Sequence, residues 1–186
     1  MEIRLAADLQ IDSIVDGLGI RTVIWTQGCK HKCPGCHNPE TWPFTGGALV
    51  DVKYITKEMD KLEGQTGVTF SGGDPFYQPK ECAYLAKHAH KLGLNVWCYT
   101  GFTYEQLMSL NKKNPDIMSF MKEIDVLVDG PFMQDKKSLD IKFRGSSNQR
   151  VIDVKKSLAE DKVIELDLDS KPSHHHFGRH DHKLYI

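Results

Sequence analysis

Six short runs of strand-forming residues, separated by stretches with helical spacing, restrict the fold of this chain more than any other feature. The runs are Thr22–Trp25, Gly67–Phe70, Leu94–Tyr99, Asp125–Val128, Arg150–Asp153 and Val163–Leu166. Most are apolar without clean alternation, as expected of strands covered on both faces. Between them Val52, Ile55, Met59 and Leu62 recur at helical spacing, as do Cys82, Leu85, Ala86 and Ala89, and then Ile117, Phe120, Met121 and Ile124. Asn114-Pro115 reads as a helix start, Thr103 and Gln106 as a capping box, and Gly93 as a helix stop. Strand–helix alternation with right-handed crossovers builds a parallel sheet. Six strands are too few to close an eight-stranded barrel. The expected fold is α/β, an open partial (β/α)6 barrel over residues 1–168, with a cysteine-rich loop after its first strand.

That loop is Cys29-Lys-His-Lys-Cys33-Pro-Gly-Cys36. Three thiolates on one short loop can hold three corners of an iron–sulfur cube, and with no fourth cysteine nearby one iron is left without a protein ligand. The competing assignment is structural zinc, with His31 or His37 completing a tetrahedron, although no second cysteine knuckle exists. The five cysteines are odd in number and three are crowded together, which fits metal binding in a reducing compartment better than a disulfide framework. Cys82 and Cys98 have apolar neighbours and read as core residues.

Composition removes other classes. Hydrophobic residues make up 40% of 186, enough for a packed core. The formal charge of −1 implies no basic face for nucleic acid or an anionic membrane. No apolar run approaches the ~20 residues that span a bilayer, and the start lacks a signal-peptide pattern, so a cytoplasmic protein is expected. Residues 169–186, with Ser173-His-His-His176 and His180-Asp-His182, form a histidine-rich tail. Such an end can bind a transition metal but is more often a mobile terminus.

Reactive groups of parallel α/β sheets gather at the carboxyl ends of the strands. Here those ends carry Gln27-Gly28-Cys29, Ser71-Gly72-Gly73-Asp74-Pro75, Tyr99-Thr100-Gly101 and Asp129-Gly130-Pro131-Phe132. The paired glycines make either a tight turn or a place where backbone carbonyls meet a ligand ammonium group. Asp129 leaves a buried strand and needs a partner, either a cation shared with Thr100 or a structural hydrogen bond. Arg144-Gly-Ser-Ser-Asn-Gln-Arg150 offers donors for a carboxylate or for a partner.

Taken together, Cys29-x-x-x-Cys33-x-x-Cys36 followed by Gly72-Gly73-Asp74-Pro75 resembles the radical S-adenosylmethionine enzymes. The longer pattern through His37, Asn38, Thr41-Trp42, Asp129-Gly-Pro-Phe132 and Arg144–Arg150 resembles their group that activates anaerobic ribonucleotide reductase, over residues 12 to 168. Gly35 suits that group, and Asp74 stands where glutamate is commoner in the wider family. The resemblance implies a [4Fe-4S] cluster on Cys29, Cys33 and Cys36. It also implies S-adenosylmethionine on the open iron, with Gly72, Gly73 and Asp74 meeting its ammonium end and Gly35, Cys36 and His37 beside it. Reductive cleavage to methionine and a 5′-deoxyadenosyl radical would then place a glycyl radical on the large subunit of the reductase. The implied electron donor is a flavodoxin or ferredoxin. Two other activities share these motifs: activation of a different glycyl-radical protein, and chemistry on a small molecule. A non-catalytic zinc-binding module is the alternative from another class.

Overall fold

The computed structural model describes residues 1–170; the two histidine clusters of the tail lie outside the described residues. Eight strands form one sheet: β1 (Glu2–Leu5), β2 (Gln10–Ser13), β3 (Arg21–Thr26), β4 (Ala48–Asp51), β5 (Gly67–Gly72), β6 (Asn95–Tyr99), β7 (Val126–Asp129) and β8 (Arg150–Asp153). Their spatial order is β4-β1-β3-β5-β6-β7-β8, with β2 paired to β3. Five helices are described: α1 (Val52–Met59), α2 (Pro79–Lys91), α3 (Tyr104–Asn111), α4 (Asp116–Met121) and α5 (Val154–Glu160).

The centre of the sheet is parallel. β3 runs beside β5 from Arg21↔Gly67 to Thr26↔Gly72, β5 beside β6, and β6 beside β7. Helices cross between them: α1 precedes β5, α2 links β5 to β6, and α3 with α4 links β6 to β7. The local signals hold. Thr103 and Gln106 form the reciprocal capping box of α3, Asn114 Oδ1 accepts from the Asp116 amide at the start of α4, and Gly93 ends α2 at φ 77°.

The margins differ from the expected repeat. β1, β2 and β4 pair antiparallel, and so does β8 with β7, in register Val126↔Asp153 to Asp129↔Arg150. A parallel return needs a crossover element, and residues 130–149 contain only the short 3-10 turn Gln134–Lys136, so the chain comes back antiparallel. Val163–Leu166 is not a sixth strand. It touches β8 through one bridge, Ile152↔Glu165, and carries Leu166 and Leu168 across the sheet. The described architecture is therefore a mixed α/β sheet with a parallel centre, and the strictly parallel six-unit pattern does not extend past β7.

The helices cover one face. Ile55, Met59, Leu85, Ala86, Ala89, Phe120 and Met121 pack with Ile24, Phe70, Val96 and Cys98 into the main core. Among the described residues, no α-helix packs on the opposite face. There Trp97, Val128 and Val151 are covered by Phe143, Leu166 and Leu168. Alternation along β6 thus sends Val96 and Cys98 one way and Trp97 and Tyr99 the other. Asp169, one residue past the expected domain limit, accepts the Lys142 amide at 2.8 Å and pairs with Arg144. No helix of the described residues is long and apolar enough to cross a membrane.

Candidate active site

Because β3, β5, β6 and β7 are parallel, the loops after them open on one rim. The loop after β3 carries the cysteines. Main-chain bonds pin its start: Gly28 N–H donates to the Thr41 carbonyl at 2.7 Å and Cys29 N–H to that of Trp42 at 3.0 Å. Cys33 and Cys36 are linked by a tight turn, Cys36 N–H to Cys33 C=O at 3.0 Å, and the Asn38 amide donates to Cys36 Sγ at 3.4 Å. Lys32 sits at φ 48°, a left-handed conformation that a lysine keeps only when its neighbours hold it there.

The loop after β5 comes up against the first. Gly72 has φ 98°, and a Cβ on Gly73 would lie 2.5 Å from the Gly28 carbonyl oxygen, so no side chain fits between the two loops. Gly73 and Asp74 N–H donate to the carbonyls of Thr26 and Gly28 at 2.7 and 2.9 Å. The result is a cavity of about 490 Å³ lined by Cys29, Cys33, Cys36, His31, His37, Gly72, Gly73, Thr100, Phe132 and Arg144, among others. That size lies within the range of small-molecule and cofactor sites.

The donor set suits a thiolate-bound cluster. Burial pushes the Cys29 thiol up to about 11 and also raises that of Cys33. Such thiols do not ionise alone at neutral pH but can do so when a metal centre supplies positive charge. Among the described residues no group of three or more His, Cys, Asp or Glu is arranged around a single metal ion. A cubane takes its thiolates on separate irons, and so needs three sulfurs facing a shared cavity rather than one point.

Other residues singled out by sequence fall differently. Gly35 lies against Phe132 and Gln134, and the His37 ring is 5.1 Å from that of Phe132. Asp74 is 1% exposed and its carboxylate is engaged from within: Phe76 and Gly101 amides, Thr100 Oγ1 and His31 Nε2 all contact it. Asp129 is equally buried, and the Thr100 hydroxyl donates to Asp74. Asp129 accepts the Tyr104 amide at 2.8 Å and both Nε and Nη2 of Arg150 at 3.0 and 2.5 Å. Of the two alternatives for Asp129, the described geometry is an internal ion pair whose cation is Arg150.

Two residues have roles that the sequence does not disclose: Arg21, which lies outside the cavity lining, and His31, which lies within it. Arg21, fully buried, bonds Thr69 Oγ1, Asn95 Oδ1 and the carbonyls of Leu18 and Val68, and stacks on Trp97. Desolvation lowers it to about 10. A lone arginine opening an apolar strand just after Gly17-Leu-Gly19 is the available signal. His31 enters the sequence argument only as a zinc ligand, yet its partner is Asp74, which lies 43 residues away.

Comparison with known proteins shows the family. The 4Fe-4S single cluster domain family matches residues 15–152. The anaerobic ribonucleoside-triphosphate reductase-activating protein of Salmonella typhi is 37% identical over 146 residues, covering 74% of this chain and 91% of that protein. Its namesake in Escherichia coli strain K12 is 34% identical over 147 residues, with the same coverage. That of Enterobacteria phage T4 is 34% identical over 146 residues, covering 74% and 86%. Among solved structures, QueE from Escherichia coli overlaps 55% of this chain and 54% of its own at TM-score 0.43 and 16% identity. With three cysteines on one cavity and relatives matched over nearly their whole length, this chain belongs to the family of anaerobic ribonucleoside-triphosphate reductase-activating proteins.

Proposed function

We propose that this chain is a radical S-adenosylmethionine activase that generates a glycyl radical on the large subunit of anaerobic ribonucleotide reductase. One observation carries the proposal: Cys29, Cys33 and Cys36 share a single cavity with the Gly72-Gly73 backbone. In this reading Cys29, Cys33 and Cys36 hold a [4Fe-4S] cluster. When bound, the cluster supplies the one electron that cleaves the sulfonium carbon–sulfur bond of S-adenosylmethionine, and the deoxyadenosyl fragment takes a hydrogen atom from the substrate glycine. The chain's own part is to bind, orient and shield. The Gly72-Gly73 backbone would hold the methionine end of the nucleotide, and His37, Phe132 and the turn at Gly35 would help to enclose it. The Asn38 amide on Cys36 Sγ adds a hydrogen bond that stabilises the thiolate.

The finer features belong to the same proposal. Residues 1–168 are the working domain, the open sheet serves as a partial barrel, the protein is cytoplasmic, and a flavodoxin or ferredoxin delivers the electron. A protein substrate is supported by the surface beside the cavity. Ile11, Ile14, Val15, Leu18 and Ile20 are all exposed, Ile14 at 71%, and Val15 also lines the cavity. The segment is fixed from below by Arg21 on the Leu18 carbonyl and by Thr69 Oγ1 on that of Asp16. Exposed aliphatics presented on a held loop mark a contact surface.

The test is anaerobic reduction with dithionite and S-adenosylmethionine, scored for methionine, 5′-deoxyadenosine and, with the reductase added, a glycyl radical by electron paramagnetic resonance. Metal analysis separates the zinc-module alternative: about four irons with sulfide per chain are expected, whereas one zinc without sulfide refutes the enzyme. Ile14→Asp should lower radical yield on limiting reductase roughly tenfold while cleavage without reductase is unchanged, as for loss of one interface anchor. Full radical yield would remove that ridge from the contact.

A further inference from the structure

The carboxylate of Asp74 is saturated. Oδ1 accepts from the Phe76 amide at 3.0 Å and from Thr100 Oγ1 at 3.1 Å; Oδ2 accepts from the Gly101 amide at 3.0 Å, Thr100 Oγ1 at 2.9 Å and His31 Nε2 at 2.7 Å. The Thr100 hydroxyl already accepts the Phe102 amide at 3.1 Å, so its own hydrogen is free to go to Asp74. An ionised carboxylate offers about four lone-pair directions, and four separate donors fill them here. Nothing remains aimed into the cavity for a ligand ammonium group.

The partners come from three rim loops. Phe76 belongs to Asp74's own loop, Thr100 and Gly101 to the loop after β6, and His31 to the middle of the cysteine loop. The His31 ring has little freedom. It stands edge-on to Phe102 with centroids 4.5 Å apart, and a Cβ on Gly101 would come within 2.5 Å of its Cδ2. Its Nε2 lies 2.7 Å from Asp74 Oδ2, and the tautomer with hydrogen on Nε2 makes this contact a donor–acceptor pair. The next residue, Lys32, is the one held at φ 48°. That left-handed residue joins the held His31 to Cys33.

We propose that Asp74 is a positioning residue that acts through His31, locking the cysteine loop onto the glycine loop, rather than a ligand of the nucleotide's ammonium group. The lock pre-sets where the three thiols face, before any cluster or nucleotide arrives. Its value to catalysis rests on the proposed function, but its existence does not.

Hydrogen exchange of the anaerobic apoprotein tests the lock directly. In Asp74→Asn and His31→Ala, the hydrogen-bonded amides of Cys29 and Cys36 should exchange roughly tenfold to a hundredfold faster, matching loss of a charge-assisted hydrogen bond. Amides of β5 and β6 should not change. The double variant should add nothing to either single one, and His31→Gln, whose amide can reach Asp74, should recover part of the protection. In reconstituted protein, both single variants should alter the resonance spectrum of the reduced cluster before S-adenosylmethionine is added. If Asp74→Asn unfolds the chain, His31→Ala, on a loop at the surface, decides alone. Unchanged exchange in His31→Ala overturns the proposal. So does an Asp74→Asn protein with normal loop exchange and a normal nucleotide-free spectrum, but tenfold weaker nucleotide binding. A wild-type chain that assembles no cluster would refute the enzyme while leaving the exchange result to judge the lock.

Discussion

Cys33→Ala protein, reduced with dithionite in the presence of S-adenosylmethionine, should release neither methionine nor 5′-deoxyadenosine, and should leave no radical on the reductase. The loss should far exceed the about 10–100-fold that removal of an outer partner costs a metal site. Cys33 lies between the strained Lys32 and the turn that closes on Cys36, and no other cysteine of the described residues is placed to replace it. Cys82 and Cys98 are fully buried in the core, and burial raises both thiols well above the ordinary range. Iron analysis on the same sample distinguishes lost assembly from lost chemistry. Product formation near the wild-type rate would show that Cys33 is not a cluster ligand.

Arg150→Met should cost about 3 kcal/mol of stability, toward the lower end of the range for removing one member of a buried ion pair. For a chain of this length that lowers the melting temperature by roughly 6–12 °C, measurable by circular dichroism under argon. Arg150 holds two acids. Asp129, 1% exposed, would be left buried without its cation and with only the Tyr104 amide as donor. Glu105 receives a two-pronged contact at 3.0 and 2.8 Å, but its side chain is 60% exposed, so solvent screens that arm. Combining Arg150→Met with Asp129→Asn should restore most of the loss, because the uncompensated charge is then gone. A single-variant cost below about 1 kcal/mol would place this pair among ordinary surface contacts. The pH response has a definite sign. The hydrogen bond from Arg150 holds the Glu105 carboxyl down at about 2. Its small contribution is therefore complete above about pH 4.5, fades as pH falls toward 2, and should vanish from the profile of Arg150→Met.

What the sequence makes legible is short in range. The cysteine loop, the glycine loop, the α3 capping box and the central strands each announce themselves within a few residues. β1, β2 and β4 do not, because each is only four residues long, too short for an alternating pattern to stand out, and β2 and β4 bury one residue and none. The direction of β8 is hidden for another reason. Arg150–Asp153 looks like its parallel neighbours, and only the lack of a crossover helix in residues 130–149 turns it round. The role of Asp74 is the hardest to see. Its partners His31 and Thr100 lie 43 and 26 residues away, and a motif describes neighbours in the chain rather than in space.

The antiparallel margins carry a consequence for selectivity. A closed cylinder sieves its substrates by the width of its mouth. Here the strands beside β3 and beyond β7 run against the central four, and the sheet ends without meeting itself. A folded macromolecule can therefore approach from the flank with a loop extended. Discrimination must then come from matching outer contours, so a free glycine-bearing oligopeptide that enters the cleft easily should be a poor stand-in for an intact partner.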